Sequence, residues 1–245
     1  MQNKKGKDYI VFPLDFPSMA AAASHVRLLD GHVGMFKIGL ELFISQGPSV
    51  VAQVRELTDA MIFLDLKLHD ISATVGRSMA RVADLGVDLI TVHCASSVQM
   101  LEAAVAGGGG KACVLGVTLL TDNDAASVEA GGFKDAYVKS PMDLVLLRAK
   151  MAKATGCAGV VCSGRETAMI KKELGREFLA VTPGIRPEWS LPANDDQKRV
   201  TTPARAVQAG SDYIVIGRPI RDADDPVTAA DMVAHEIDQV LASVG

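Results

Sequence analysis

The run AMIFLDLKLHDI, residues 60–71, brings Asp65, Lys67 and Asp70 together in one short stretch. Read as a strand, it puts Ile62, Leu64, Leu66 and Leu68 on one face and Phe63, Asp65 and Lys67 on the other. The aliphatic face suits packing against helices, which turns the charged face inward. An unpaired buried charge is very costly, so Asp65 and Lys67 require partners. Lys37, in GMFKIGL, and Asp70 are the expected ones, giving an alternating array of Lys37, Asp65, Lys67 and Asp70. Such an array keeps an ammonium charged and aims it, which is the chemistry of a proton donor or a stabiliser of developing negative charge. An ion-pair network that merely fixes the fold is the competing reading. Hydrophobic residues would serve that purpose as well, and converging charges favour a functional site.

A second chemistry is carried by VTPGIRP, residues 181–187, and IVIGRPI, residues 214–220. Each offers a glycine for close backbone approach and an arginine, Arg186 or Arg218, for charge-assisted hydrogen bonds to an anion. Either glycine alone reads as a tight turn and either arginine as a surface charge; together they suggest a phosphate site. GGGGK at 107–111 is not a P-loop, because Val105 and Ala112 stand where Gly and Ser or Thr are required. It reads as a turn that ends a helix.

These residues need a scaffold that gathers them. Eight apolar runs serve as strand candidates: DYIVFPLD, GMFKIGL, AMIFLDLKL, DLITVHC, ACVLGVTLL, GVVCSG, FLAVTPG and DYIVIGR. Helix-like stretches at 18–30, 47–58, 73–85, 97–106, 143–156, 166–174, 202–209 and 227–242 alternate with them. Repeated strand-then-helix units predict a closed (β/α)8 (TIM) barrel of the phosphate-binding type, with residues 1–245 as one domain. A doubly wound sheet would show a glycine fingerprint after its first strand, and the first turn here, LDFPS, has none. In a barrel, strand ends share one mouth. Asp15, Lys37, Asp65, Lys67, His93, Thr118, Thr121, Ser163, Thr182, Pro183, Gly184, Arg186, Gly217 and Arg218 all fall near strand ends. His93 is as readily a packed histidine as a substrate contact, His69 faces either its neighbours or a helix, and Ser163 is expected to cap the following helix. The polar stretch 186–200 is either a lid or an ordinary surface excursion, with Trp189 its anchor or merely exposed.

Composition narrows the class. Of 245 residues, 49% are hydrophobic and 4% aromatic, which suits an aliphatic core around a parallel sheet. The net charge of −4, with its basic residues dispersed, gives no sign of a nucleic-acid surface. Of four cysteines, Cys94, Cys113 and Cys162 lie in apolar runs and are expected to be buried free thiols, as suits a reducing cytoplasm; Cys157 is the fourth. The start, MQNKKGKDYIVF, lacks the apolar core of a signal peptide, and no apolar run is long enough to span a membrane.

The D-x-K-x-x-D run of Asp65, Lys67 and Asp70 resembles the signature of the orotidine 5'-phosphate decarboxylase family. LDFPS, FKIGLELF, LDLKLHDI, VTLLTD, VVCSGRE, VTPGIRP and YIVIGRPI resemble that family's bacterial blocks, in the same order along nearly the whole chain. The resemblance implies decarboxylation of orotidine 5'-monophosphate to UMP without metal or cofactor. It implies that Lys67 donates a proton to C6, that Asp65 sits beside the departing carboxylate, and that Lys37 and Asp15 contact the ribose. Thr121 would meet the pyrimidine, Gln197 would bridge from a closing loop, and Pro183, Arg186, Gly217 and Arg218 would line the phosphate end. Asp70, with Ile71 and Thr74, would reach the partner's site across a homodimer. The family often reads DIPNT after this second aspartate, whereas residues 70–74 read DISAT here.

Two rivals carry different expectations. Magnesium-dependent sugar-phosphate decarboxylases or synthases of the same superfamily share D-x-K-x-x-D but carry Glu where this chain has Lys37. A lysine there repels a divalent cation, and Glu41 is a weak substitute. A non-catalytic phosphate-ligand sensor would have lost the lysine or a carboxylate while keeping Arg186 and Arg218.

Overall fold

The computed structural model describes residues 4–190 and 201–244. Eight short strands form its centre: β1 (Ile10–Pro13), β2 (Met35–Gly39), β3 (Met61–Leu68), β4 (Leu89–His93), β5 (Cys113–Val117), β6 (Gly159–Val161), β7 (Leu179–Thr182) and β8 (Tyr213–Val215). All are parallel, each pairs with the next, and β8 closes on β1. Each of the eight expected strands is present. The sheet is covered by helices outside and filled by side chains inside, so its strands read as continuous apolar runs.

Two apolar layers result. Outward residues such as Ile62, Leu64, Ile90 and Val160 pack against the helices with no exposure. Inward residues Val11, Met35, Phe63, Leu89, Leu115 and Val181 form a second cluster, each at most 1% exposed. The interior is therefore a packed core rather than a pore. Below it, the N-terminal segment closes the barrel's lower end. The Lys4 ammonium lies 3.8 Å from the centre of the Tyr9 ring and 3.9 Å from that of Tyr213, and it donates to the Asp212 carbonyl.

Helix boundaries follow local chemistry. Ser18, Ser97 and Thr202 cap the helices Met19–Leu29, Val98–Gly108 and Pro203–Gln208 by accepting a backbone N–H three residues on. GGGGK does end a helix: Gly109 and Gly110 adopt φ of 57° and 73° before β5 begins. The helix expected over 47–58 is confined to Ser49–Arg55, and a separate helix, Leu40–Gln46, leaves β2 directly. Gly47, at φ 69°, and Pro48 break the two apart. Helices Ala125–Ala130, Asp135–Lys139 and Arg218–Arg221 were not legible in the sequence, each being too short to show a helical period.

All four cysteines are free, and Cys94, Cys157 and Cys162 are buried. Burial pushes the thiols of Cys94 and Cys162 up to about 12 and that of Cys157 up to about 11, so they remain protonated. The expectation fails at Cys113, which is exposed. It opens β5 at the end of the strand opposite the cavity, paired with Leu89 of β4.

The helices Ser72–Ala83 and Val98–Gly108 pack closely because Gly107 lacks a side chain; a Cβ there would stand 2.3 Å from the Gly76 carbonyl oxygen. Gly107→Ala must push the helices apart, with an expected loss of about 1–3 kcal/mol in a urea unfolding titration.

Candidate active site

A cavity of about 510 Å3 opens at the C-terminal ends of the strands. Its floor is a row of alternating charges. The Lys37 ammonium lies 3.3 Å from Asp15 Oδ1 and 3.5 Å from Asp65 Oδ2, and the Lys67 ammonium lies 2.9 Å from both Asp65 oxygens. The order is thus Asp15, Lys37, Asp65, Lys67. Gly39 leaves room for the first pair: a Cβ there would stand 2.9 Å from Asp15 Oδ1 and 3.1 Å from the Lys37 ammonium.

Asp65 is the hub. Its side chain is only 13% exposed. Burial pushes its carboxyl pKa up, but Lys37, Lys67 and hydrogen bonds from Lys67 and Thr91 together pull it below the usual carboxylate value. The aspartate is therefore held ionised between two ammonium groups.

The strand carrying Asp65 and Lys67 departs from simple alternation. Phe63 turns inward and Ile62 and Leu64 outward, as expected. Between Leu64 and Leu68, however, four steps along β3 match only two along β4, from Ile90 to Val92. Lys67 sits on this bulge with φ 50°, the sole positive φ outside glycine among the described residues. Lys67 thus reaches the cavity from a bulge rather than from the pleat.

Asp70 does not join the row within the chain. It is exposed, and its Oδ1 accepts the backbone N–H of Ile71 at 2.6 Å. Asp15, delivered by the turn after β1, joins the row at its other end, beside Lys37. Ile71 is 71% exposed and Thr74 half-buried, and neither lines the cavity.

The opposite wall comes from the ends of β5 to β8. Thr121, Pro183, Gly184, Arg186, Gly217 and Arg218 all line it, as do Leu119, Leu120 and Arg221, which the sequence did not single out. Gly184 adopts φ 75°, a conformation suited to glycine. Arg186 is buried and Arg218 exposed. Trp189 is 45% exposed and borders a shallow hollow with Arg186 and Arg218. Gln197 lies outside the described residues.

Other strand-end residues turn away. Thr118 donates to the Val161 carbonyl, and Thr182 pairs with Ser211 at 2.7 Å. Ser163 does not cap the next helix; its buried hydroxyl has no hydrogen-bond partner among the described residues. Buried Glu166 instead accepts the Ser163 backbone N–H at 2.7 Å. His93 Nδ1 accepts the Ala95 N–H at 3.1 Å, and its ring lies 5.5 Å from that of exposed His69. Thr118 and Thr182 show no sequence pattern, because their partners come from distant parts of the chain.

A charged row on one side of a barrel mouth and paired arginines on the other define a (β/α)8 enzyme that binds an anionic substrate. The chain matches the orotidine 5'-phosphate decarboxylase / HUMPS family over residues 8–233 and belongs to it. It is 46% identical over 242 residues to the orotidine 5'-phosphate decarboxylase of Desulfosudis oleivorans, covering 98% of this chain and 97% of that one. It is 40% identical over 244 residues to that of Geobacter sulfurreducens, covering 97% and 99%. Among solved structures, the orotidine 5'-phosphate decarboxylase of Lactobacillus acidophilus superposes with a TM-score of 0.80 at 32% identity, covering 94% of this chain and 98% of that one.

His93 gives the site a pH signature. Burial first, then Arg148, His69 and Lys67, lower its pKa from the usual 6.5 to about 4. The unfolded chain therefore takes up this proton first on acidification. The neutral ring contributes stability that is complete above pH 6.5 and lost as pH falls through about 4. Urea midpoints at about pH 7 and pH 4.5 should show a smaller acid-induced drop for His93→Gln than for the wild type.

Proposed function

We propose that this chain decarboxylates orotidine 5'-monophosphate to UMP and CO2, the last step of pyrimidine nucleotide synthesis de novo, with residues 1–245 acting as one catalytic unit. The carrying observation is the Asp15–Lys37–Asp65–Lys67 row on the floor of the cavity in a chain of this family. The bond from C6 of the pyrimidine to its carboxylate breaks and leaves its electron pair on C6. The Lys67 ammonium stabilises that charge and passes a proton to C6. Because Asp65 stays ionised, it holds the Lys67 ammonium in place before substrate arrives, and preorganised charge of this kind is usually the largest catalytic contribution.

The remaining residues divide the substrate between them. Asp65 flanks the departing carboxylate. Lys37 and Asp15 hold the ribose hydroxyls and Thr121 meets the pyrimidine. Arg186, Gly217 and Arg218 receive the phosphate, with Pro183 beside them on the cavity wall. Phosphate binding is remote from C6, so its energy can be spent on assembling the site. Lys37 stands between the two carboxylates that a divalent cation would need, which counts against the magnesium-dependent reading. Assay in excess EDTA should leave wild-type turnover, followed by ultraviolet absorbance, unchanged. Lys67→Ala should lose about a thousandfold or more in kcat. No turnover by folded wild type in EDTA, restored by magnesium, would overturn the assignment.

We further propose a cytoplasmic homodimer in which Asp70, Ile71 and Thr74 complete the partner's site. The exposure of Asp70 and Ile71, directly after β3, supports this reading. Shared sites have a signature in mixing. Lys67→Ala and Asp70→Ala proteins, each nearly inactive alone, should regain a measurable fraction of wild-type activity when subunits are exchanged, because a mixed dimer holds one intact site. Unchanged activity on mixing would show that Asp70 acts within its own chain.

A further inference from the structure

Thr91 appears in no motif of the sequence, yet it sits where the two most constrained groups of the site meet. It lies inside the barrel on β4, opposite Leu115 of β5, and has no exposure. Its Oγ1 accepts the Lys67 backbone N–H at 2.9 Å and donates to Asp65 Oδ1 at 2.9 Å. A hydroxyl has one proton to give and lone pairs to accept with, so both bonds form together.

Each bond answers a specific cost. A left-handed backbone at a residue with a Cβ is strained and persists only where neighbours enforce it. At Lys67 the bulge also removes two residues of β3 from the ladder with β4, so the Lys67 N–H has lost its regular strand partner. Thr91 supplies the replacement. Asp65, for its part, must present its carboxylate to Lys67 with both oxygens equidistant. The Thr91 proton on Oδ1 fixes the rotation of that carboxylate.

We infer that Thr91 is a positioning residue for proton transfer, one buried hydroxyl fixing both the backbone from which Lys67 projects and the carboxylate that Lys67 grips. The inference rests on the assignment of Lys67 as proton donor. Thr91 itself is sealed from the cavity and touches no substrate. Its contribution therefore belongs to the chemical step, because the ammonium must meet C6 at a defined place, and small misplacements cost rate rather than affinity.

Thr91→Val keeps the shape and removes both bonds, while Thr91→Ser keeps both. With orotidine 5'-monophosphate as substrate, Thr91→Val should lose about tenfold to a hundredfold in kcat, with KM within about threefold of wild type. Thr91→Ser should retain most of the wild-type kcat. The acidic limb of the kcat profile should move to higher pH in Thr91→Val, because the ionised Asp65 loses a hydrogen bond that favours it. A folded Thr91→Val with wild-type kcat, or an equal loss in Thr91→Ser, overturns the inference. If Thr91→Val does not fold, Thr91→Cys carries the test: reduced kcat at constant KM supports the role, and wild-type kcat overturns it. Wild type assayed alongside separates the failures, since an inactive folded wild type strikes the decarboxylase assignment, whereas equal activity in both strikes Thr91 alone.

Discussion

Asp65 is a carboxylate buried at the mouth of a barrel whose interior is otherwise filled with aliphatic side chains. Left alone it would take up a proton rather than stay charged. Two ammonium groups and a hydroxyl make its ionisation favourable, and much else follows from placing them. Lys37 has to arrive from the adjacent strand, which requires β2 to pair with β3 in the register that sets Gly39 beside Asp65. Gly39 must then be bare, since any side chain would crowd Lys37 and Asp15. Lys67 meets that carboxylate, two residues away, from a bulge in β3 rather than from the regular pleat.

The closed sheet gives this cluster a fixed relation to the opposite wall. Charged floor residues come from the first three strands and their connections, and the arginine loops from the last two. Because β8 pairs with β1, the two ends of the chain's strand order are neighbours, and Gly217 stands so close to Pro13 that a Cβ on it would lie 2.9 Å from the proline ring. Anion recognition and charge stabilisation are thereby set at a constant distance by hydrogen-bonded backbone rather than by loops alone. Such rigidity is what allows binding energy gained at one end of a substrate to be felt at the other.

Much of this was legible in the sequence, and the boundary of legibility is physical. Eight buried strands announce themselves because each must be apolar on both faces, and strand ends locate the mouth. Asp65, Lys67 and Lys37 stood out because charge inside an apolar run is anomalous. Position within the row was less readable: alternation assigned Lys67 to the inward face but did not show the bulge, nor that Asp15 joins the row beside Lys37. Thr91 and Gly39 escaped notice because threonine and glycine are unremarkable until partners from other strands surround them, and Glu166 because nothing in a carboxylate near a helix start shows that it turns back to the Ser163 N–H. Cys113 was misplaced for a related reason, since an apolar run does not say where the barrel's filling stops.

The lower end of the barrel bears on traffic. With Lys4 clasped between Tyr9 and Tyr213 and a solid layer of aliphatic side chains above it, the well has a floor but no drain. Everything that enters must come back by the same opening. On the proposed reaction, carbon dioxide and UMP both leave by the mouth through which the substrate came, so the rim that admits one molecule must release two.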